Sequence, residues 1–350
     1  MHPRIAPLAL AVLGLLAGTA HAQAPAQGSS VSVYGTVDLG LGSLESQPPG
    51  PPTAPITTVR GLHNGGIQFS YIGFRGTEDL GGGMKAKFQL ESFIRADTGA
   101  SGRFNPPGPP QDPFWSRSSW VALEGGFGEV RLGNNTNPSW LANISTSAMG
   151  GNSIFSPSFR QQYNGSTRGY MAQDTALPNS VSYLSPNIGG TVVTVNLQAS
   201  ETSGLSNNVN LSAVHRSGPL VLALAGASVK HAPAPDPAGA LDERFVMVGG
   251  AYDFKVVRLF AQYTDHKDNL ANRKTKSPHI GLTVPVGTSQ IQLAWGESKT
   301  SGAASSKRTT TSAGYVHPLS KRTELYVMLA NDKLPVGTAQ SYMAGIKHTF

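Results

Sequence analysis

The segment YMAGIKHTF, residues 342–350, ends the chain in a regular alternation of side chains. Its large or apolar side chains fall on every second residue: Tyr342, Ala344, Ile346, His348 and Phe350. A period of two predicts a β-strand. Most chains end in a few loose residues unless the terminus is tied down. We therefore expect this last strand to pair with another part of the chain.

The amino-terminal segment has the layout of a secretory signal peptide. Residues 1–22 contain one Arg near the start, an apolar run from Leu8 to Ala17, and Ala-His-Ala before Gln23. The alternative is a transmembrane anchor, but the run is shorter than the roughly 20 apolar residues that a spanning helix needs. We expect residues 1–22 to be a cleaved leader and residues 23–350 to form one exported domain.

Composition narrows the class of protein. The chain has 350 residues and no cysteine, which excludes a disulfide framework, a thiolate metal site and a cysteine nucleophile. Gly (41) and Pro (25) are frequent, and no stretch of three turns shows an apolar stripe with the period of a helix. The net charge of +7 comes without a cluster of Lys and Arg interleaved with aromatic residues, so nucleic-acid binding is not predicted. An all-β protein remains, either soluble or a membrane barrel.

The number and spacing of the strands distinguish these two classes. Alternation and turn residues predict sixteen strands, near 30–44, 67–77, 83–95, 117–125, 127–134, 178–186, 189–200, 207–216, 218–230, 243–253, 255–265, 277–286, 288–299, 308–318, 321–332 and 341–350. The number is even, and most strands have about ten residues, as a tilted membrane-spanning strand requires. Short turns alternate with longer loops, several of them rich in Pro or Gly. We predict a sixteen-stranded transmembrane antiparallel β-barrel with short periplasmic turns and long extracellular loops.

The distribution of side chains over the two faces of each strand agrees with a barrel. In residues 83–95 the apolar side chains Ala86, Phe88 and Leu90 share one face, and Lys85, Lys87 and Gln89 share the other. A membrane barrel directs the first face to lipid and the second to the lumen. In a closed barrel the last strand pairs with the first, which leaves no unpaired edge in the bilayer.

Four segments resemble the Gram-negative general porins, which are trimeric sixteen-stranded outer-membrane barrels: SVYGTVDLGL (32–41), YIGFRGTEDLGGGMKAKFQLE (71–91), GGFGEVRLG (125–133) and the terminal strand. The second segment is quite specific. The resemblance implies a water-filled channel for passive diffusion of small hydrophilic solutes and ions. It also implies a homotrimer in contact with outer-membrane lipid and lipopolysaccharide, no cofactor, and a terminal Phe350 that the barrel-assembly machinery reads.

The longest predicted connection, residues 134–177, corresponds to the third loop of that family, which folds into the barrel and narrows it. A loop of this size without secondary structure of its own is either functional or disordered. The segment carries enough apolar surface to pack against a wall, in Trp140, Ile144, Met149, Ile154, Phe155, Phe159 and Tyr170. We expect it to form the constriction.

Charges that line a constriction set its selectivity. On the predicted register the inward wall positions carry Arg75, Lys87, Arg95, Arg117 and Arg131, beside Glu91 and Glu129. The loop adds Arg160, Arg168 and one acid, Asp174. Two positions where relatives often carry Arg are Tyr71 and Asn134, so the basic set is thinner than in the family. We expect Tyr71 and the named basic residues to line the pore with Asp174, and a mild preference for anions. The alternative for each Arg is a solvated charge at a rim or turn.

Catalysis and metal binding have little support. The His residues are scattered, no GxSxG or HExxH motif occurs, and no spacing of metal ligands is present. Two other functions remain open, a substrate-specific outer-membrane channel and a surface adhesin or receptor built on a barrel. The first needs ordered binding groups in the lumen, and the second would use the Pro-rich loops.

Overall fold

The computed structural model describes residues 29–47, 53–103, 112–152, 154–163, 173–231, 240–303 and 305–350. The expected signal peptide, residues 1–22, lies outside the described residues. In the described part of the chain, no helix is both long and apolar enough to cross a membrane.

Eighteen strands and two short helices make up the described structure. The strands are β1 Ser30–Ser46, β2 Thr57–Asn64, β3 Tyr71–Gly81, β4 Met84–Arg95, β5 Ala100–Ser101, β6 Ser118–Gly125, β7 Gly128–Thr136, β8 Ala176–Leu184, β9 Thr191–Gln198, β10 Asn208–Ser217, β11 Leu220–His231, β12 Ala240–Asp253, β13 Arg258–Asp268, β14 Arg273–Val286, β15 Ser289–Gly302, β16 Ser306–Pro318, β17 Thr323–Leu334 and β18 Gly337–Thr349. The helices are α1 Pro138–Ser145 and α2 Pro157–Gln162.

These strands occupy sixteen positions around one closed antiparallel barrel. Strands β2 and β3 share one position, because both pair with β1, and β5 and β6 share another, because both pair with β4. The ring closes where β1 meets β18, with Thr36 opposite Thr349 and Ser43 opposite Tyr342. The predicted sixteen-stranded barrel and the pairing of its last strand with its first are therefore confirmed.

The last residue takes part in this closure. The backbone N–H of Phe350 donates to the carbonyl of Gly35 at 3.1 Å, and the N–H of Gly35 donates to the carbonyl of Phe350 at 3.3 Å. The terminal strand is thus hydrogen-bonded to its end, which satisfies backbone groups that would otherwise form an open edge.

The largest difference from the prediction concerns the barrel position that pairs with β1 through β2 and β3. The strand expected at 67–77 lies at Tyr71–Gly81, and the same barrel position contains an additional strand, Thr57–Asn64, in a region predicted to be loop. Between them the Asp38 carboxylate accepts hydrogen bonds from the backbone N–H groups of Ile67 and Gln68, both at 2.8 Å. Here a side chain from β1 accepts hydrogen bonds that a neighbouring strand would otherwise accept. Alternation of side chains in the sequence does not indicate such a long-range contact.

The two faces of the wall follow the predicted pattern. In β17 the side chains of Leu325, Val327 and Leu329 are exposed on the outside, whereas Tyr326 and Met328 are buried on the inside. The same parity holds from strand to strand through the antiparallel register. The exterior is thus an apolar surface of the kind that faces lipid in a membrane barrel.

In the connection between β7 and β8, the described residues 137–152, 154–163 and 173–175 fold into the barrel and are called the inner loop below. It was expected to lack secondary structure, which is wrong, because α1 and α2 both lie within it. Each helix begins with Pro at its first position, where the missing N–H is not needed. The Asn137 side chain caps α1 by accepting from the N–H of Ser139 at 2.9 Å.

Candidate functional site

The inner loop is packed against one side of the barrel interior. Helix α1 contacts β9–β12, and α2 contacts β15 and β16. The rings of Trp140, Phe159 and Tyr163 join the two helices, with centroids 4.9–5.5 Å apart. Met149 and Phe155 are buried beside them. The expectation that apolar residues dock this loop is confirmed for Trp140, Met149, Phe155 and Phe159. Tyr163 was not among the residues named from the sequence, and Tyr170 lies outside the described residues.

Glycines in the wall let the inner loop approach the backbone. A Cβ on Gly249 would lie 2.5 Å from Oγ1 of Thr146, and a Cβ on Gly281 would lie 2.6 Å from Cβ of Ala148. Neither position accepts a larger residue without displacing the loop, so the two glycines create room for it.

Buried amides fix the loop in register with the wall. The Gln262 side chain on β13 donates to the carbonyl of Asn143 at 2.7 Å and to the Thr146 hydroxyl at 2.8 Å. From α2, the Gln161 side chain donates to the carbonyl of Gly296 and the hydroxyl of Thr310, both at 3.0 Å. Buried hydrogen bonds of this kind are costly to lose, because each partner would be left without water.

A buried charge network anchors α2. Asp332 on β17 accepts from Arg308 Nη2 at 2.6 Å, from Arg160 Nη2 at 3.2 Å and from the Thr310 hydroxyl at 2.8 Å. The side chains of Arg160 and Asp332 are only 3% and 1% exposed. The sequence placed Arg160 among the pore-lining residues. In the structure its side chain is buried between α2 and the barrel wall.

The wall opposite the inner loop carries two charged clusters. In the first, Glu91 accepts from the Tyr34 hydroxyl at 2.6 Å and pairs with Arg117. The Arg117 guanidinium lies 3.9 Å from the centroid of the Tyr71 ring, and that of Arg75 lies 4.7 Å from the centroid of Tyr34. Four residues named from the sequence (Tyr71, Arg75, Glu91 and Arg117) thus meet in one cluster, stabilised by ion pairing and cation–π contact.

The second cluster lies nearer the short turns. Lys87 pairs with Glu124 at 2.6 Å and with Glu129 at 2.8 Å, while Arg131 also pairs with Glu129. The Arg131 guanidinium lies 4.4 Å from the centroid of the Trp120 ring. Lys87 and Arg131 are therefore brought together, but their charges are partly balanced by these acids.

Two further residues named from the sequence, Arg95 and Asn134, make hydrogen bonds with the backbone. Arg95 is buried at the end of β4, and its carbonyl accepts from the N–H of Gly99 at 2.7 Å. Asn134 donates to the carbonyls of Trp115 and Ser116, beside a register shift in β7. Arg168 lies outside the described residues.

Asp174, the acid predicted on the loop, belongs to a clamp between two loops. Arg103 pairs with Asp112 at 2.7 Å and also with Asp174. Burial alone would raise the pKa of the Asp174 carboxyl, but the Arg103 guanidinium holds that pKa below its ordinary value of 3.8. Burial opposes the charged form of Arg103 as well, yet Asp174 and Asp112 raise the pKa of its guanidinium above the ordinary value. The clamp is thus fully charged at neutral pH.

The pKa of Asp174 determines how the clamp responds to acid. Because its folded-state pKa lies below the unfolded value of 3.8, its stabilising contribution is present above that pH and is lost as pH falls through the lower folded pKa. The protection of the amides of residues 173–175, relative to the intrinsic exchange rate at each pH, is expected to stay high from neutral pH down to pH 3.8. It should fall only below that pH. In Arg103→Gln exchange should be fast throughout. Loss of protection already near pH 6 in the unmodified protein would contradict this assignment.

An open cavity of about 1030 Å³ lies between the inner loop and the wall. Its described lining includes five bases, Arg103, Arg117, Lys255, Arg258 and Lys347, and two acids, Asp253 and Glu324. Sequence reasoning did not name Arg103, Arg258 or Lys347 as pore residues. Strand parity could have located Arg258 and Lys347, whereas Arg103 lies in a loop without periodicity. Among the described residues, no group of three or more His, Asp or Glu side chains is placed to hold a metal ion.

A closed barrel with an apolar exterior, and with an inner loop that leaves a charged cavity open, has the architecture of a channel-forming membrane barrel. The sequence pattern of the Gram-negative porins matches residues 9–334. Outer membrane porin protein 32 of Delftia acidovorans is 33% identical over 92% of this chain and 88% of its own length. An outer membrane porin protein of Bordetella pertussis (strain Tohama I) is 26% identical over 98% of this chain and 99% of its own length.

Solved structures give the same result. The anion-selective porin from Comamonas acidovorans superposes with a TM-score of 0.74 at 28% identity, over 92% of this chain and all of that one. The trimer form of OmpT from Vibrio cholerae has a TM-score of 0.63 at 11% identity and shows the shared fold alone. The chain belongs to the Gram-negative porin family. It is an outer-membrane porin that forms a channel for passive diffusion, in a family of channels rather than enzymes.

Proposed function

We propose that this porin is a general diffusion channel with a mild preference for anions. The observation that carries the proposal is the pair of bases Lys255 and Arg258 on the lining of the cavity beside the inner loop. Among the described residues, no carboxylate lies within 4.0 Å of their charged nitrogens, whereas Arg103, Arg117 and Lys347 are ion-paired. A charged, narrow passage raises the local concentration of counter-ions. The anion-selective porin from Comamonas acidovorans supports the same sign of selectivity. Solutes cross unchanged, so the proposal includes no catalytic step and no cofactor.

The constriction is proposed to lie between the inner loop and the wall cluster of Tyr71, Arg75 and Arg117. Arg258 on β13 and Lys347 on β18, which is paired with Glu324, add to its basic lining. Lys87 and Arg131 act nearer the short turns, Asp174 acts through its clamp to Arg103, and Arg160 acts by holding α2 in place. Arg95 and Arg168 keep the role proposed from the sequence, as lumen-facing charges.

Planar-bilayer recordings test the proposal. Conductance is expected to increase in proportion to KCl concentration, and a KCl gradient is expected to give a zero-current potential of the sign for Cl⁻ over K⁺. Sugars and phosphate should pass without saturation. A current that saturates with one class of solute would support the substrate-specific alternative instead, and a cation preference would contradict the proposed selectivity.

Several further partners belong to the same proposal. We propose export through a cleaved leader at residues 1–22, a homotrimer, contact with outer-membrane lipid and lipopolysaccharide, and insertion by the barrel-assembly machinery. The known trimer form of a structural neighbour supports the oligomer. In detergent the protein should migrate as an oligomer that dissociates on heating.

Phe350 is proposed to be the residue that the barrel-assembly machinery recognises. Its backbone closes the barrel against Gly35, and the residue is 42% exposed. Phe350→Asp should therefore lower the amount of barrel in the outer membrane severalfold, while the few assembled channels conduct normally. Tyr342→Asp in the same strand is a matched control for a charge on the lipid face. Equal losses in the two variants would mean that position 350 has no special role.

A further inference from the structure

Among the described residues, five arginines of the barrel interior lie over aromatic rings. The distance from the guanidinium carbon to the ring centroid is 3.9–5.0 Å in Arg75 with Tyr34, Arg103 with Phe93, Arg117 with Tyr71, Arg131 with Trp120 and Arg258 with Phe260. Three of these arginines are also ion-paired, namely Arg103, Arg117 and Arg131. No carboxylate of the described residues lies within 4.0 Å of the guanidinium nitrogens of Arg75 or Arg258. Arg75 and Arg258 are called the two unpaired arginines below.

Arg75 is held on one side by a fixed ring and is exposed on the other. The ring of Tyr34 lies 4.7 Å from the guanidinium carbon, and its hydroxyl donates to Glu91 at 2.6 Å. The edge of the same ring meets Tyr71, with centroids 6.1 Å apart. A Cβ on Gly73 would lie 2.8 Å from Cζ of Tyr34, so this glycine leaves room for the ring. Because Arg75 is exposed, the second face of its guanidinium is open to the lumen.

Arg258 repeats this arrangement on β13. Its guanidinium carbon lies 5.0 Å from the centroid of the Phe260 ring, and both residues line the open cavity beside the inner loop. The Nε atom of Arg258 is buried and has no hydrogen-bond partner among the described residues. A buried donor without an acceptor is costly, so an anion that accepts from this guanidinium removes part of that cost.

A guanidinium stacked on one ring offers a solute two different surfaces. Its edge carries N–H donors in a fork that matches a carboxylate, and its open face attracts a second aromatic ring. A lysine in the same cavity, such as Lys255, is a compact charge without a flat face. An anion that has both a carboxylate and an aromatic ring can use both surfaces as it passes. A saturated anion of the same charge and size can use only the edge.

We propose that the two unpaired arginines make this channel favour aromatic carboxylates over saturated carboxylates of the same charge and size. Tyr34 and Phe260 are positioning residues that hold each guanidinium flat. The inference rests on the proposed preference for anions and names the class of organic anion that gains most from it. Cation–π attraction at an exposed site is weak, so it raises the permeability of the favoured solute and leaves the channel open to others.

Bilayer recordings of the purified oligomer with two matched probes test this inference. Benzoate and cyclohexanecarboxylate carry one charge each at neutral pH and have rings of six carbons, but only benzoate is aromatic. With sodium chloride on one side and the sodium salt of one probe on the other, the zero-current potential gives the permeability of each probe relative to chloride. The benzoate permeability of the wild type should exceed that of cyclohexanecarboxylate by about two- to fivefold. Equal permeabilities would overturn the inference without any variant.

Three double variants separate the flat guanidinium from its charge. Arg75→Gln with Arg258→Gln should bring the ratio of the two permeabilities to about one. Arg75→Lys with Arg258→Lys keeps both charges and should still lower the ratio by about half, because an ammonium group has no flat face. Arg244→Lys with Arg322→Lys is the matched control, since Arg244 lies on the outer face of β12 and Arg322 in the turn before β17, and it should leave the ratio unchanged. An unchanged ratio in the first Lys variant, or an equal loss in the control, would overturn the inference.

The positioning role has its own measurement. Tyr34→Leu with Phe260→Leu leaves both arginines in place and should lower the ratio of the two permeabilities, because the guanidinium planes lose their support. Tyr34→Phe keeps the ring and should keep the ratio of the wild type. Retention of the full ratio in the Leu variant would show that these rings do not orient the arginines.

The two probes also separate this inference from the proposed function. An anion-preferring wild type that passes both probes equally would overturn the aromatic preference and leave the proposed function standing. A wild type that prefers cations over chloride would contradict the proposed function itself, and the inference would fall with it.

Discussion

Asp332→Ala is expected to lower the free energy of unfolding by about 3–5 kcal/mol, the range for breaking one side of a buried ion pair. Asp332 is the shared acceptor of Arg308 and Arg160, and its side chain is 1% exposed. Its removal leaves two buried guanidinium groups without their carboxylate. Because Arg160 belongs to α2, the variant should also loosen the contact between the inner loop and the wall. The inner loop should leave the wall, and single-channel currents should become larger and noisier.

Thermal unfolding in detergent and bilayer recording measure these two effects. Asp265→Ala is a matched control, since Asp265 lies in the same sheet and pairs with Lys274 at 3.1 Å, but the two side chains are 35% and 47% exposed. A surface pair of this kind contributes about 0–1 kcal/mol. The loss of unfolding free energy in Asp332→Asn should lie between those of Asp265→Ala and Asp332→Ala, because this variant keeps some hydrogen bonds and loses the charge. Equal destabilisation by Asp265→Ala and Asp332→Ala would show that the buried network does not anchor the loop.

Replacing Arg117 and Arg258 together with glutamine is expected to move selectivity strongly toward cations. Both residues line the open cavity. A unit charge about 6 Å from a passing ion contributes roughly 0.7 kcal/mol in water before screening. The loss of two charges should therefore raise the K⁺/Cl⁻ permeability ratio by about three- to tenfold at 0.1 M salt, where the screening length is about 10 Å. At 1 M it is about 3 Å, and the change should fall below about twofold.

The zero-current potential at both salt concentrations measures this shift. Lys267→Gln with Lys274→Gln is the control that removes the same charge from the outer face of the barrel. The strands predicted at 255–265 and 277–286 left both residues in the connection between them. In the structure Lys267 lies in β13 and Lys274 in β14, and both are exposed outside the wall. Equal shifts in the two double variants, or a cation-selective wild type, would contradict the proposed constriction.

The sequence predicted the wall well because its signals are local. Alternation along each strand and turn residues between strands mark most strand positions, and alternation places Leu325 and Val327 outside. The same parity identifies inward charges such as Lys87 and Arg131. Parity does not report whether an inward charge is free or paired, because Glu124 and Glu129 reach Lys87 from neighbouring strands.

Residues of the inner loop were harder to assign. Arg160 and Asp174 were both expected to face the pore. In the structure Arg160 is buried against Asp332, which lies 172 residues later in the chain, and Asp174 is held by Arg103, 71 residues earlier. No pattern in the loop sequence indicates either partner, since both contacts depend on how the loop folds back across the barrel.

Short-range periodicity in the sequence specifies the barrel, its sixteen positions, the faces of its strands and the closure at Phe350. These features follow from the alternation of side chains and from the need to pair every backbone group in a membrane. The folded chain alone shows which charges line the open cavity and which ones anchor the inner loop. Such groupings depend on register and on contacts between residues far apart in the chain. The closed barrel brings those residues together.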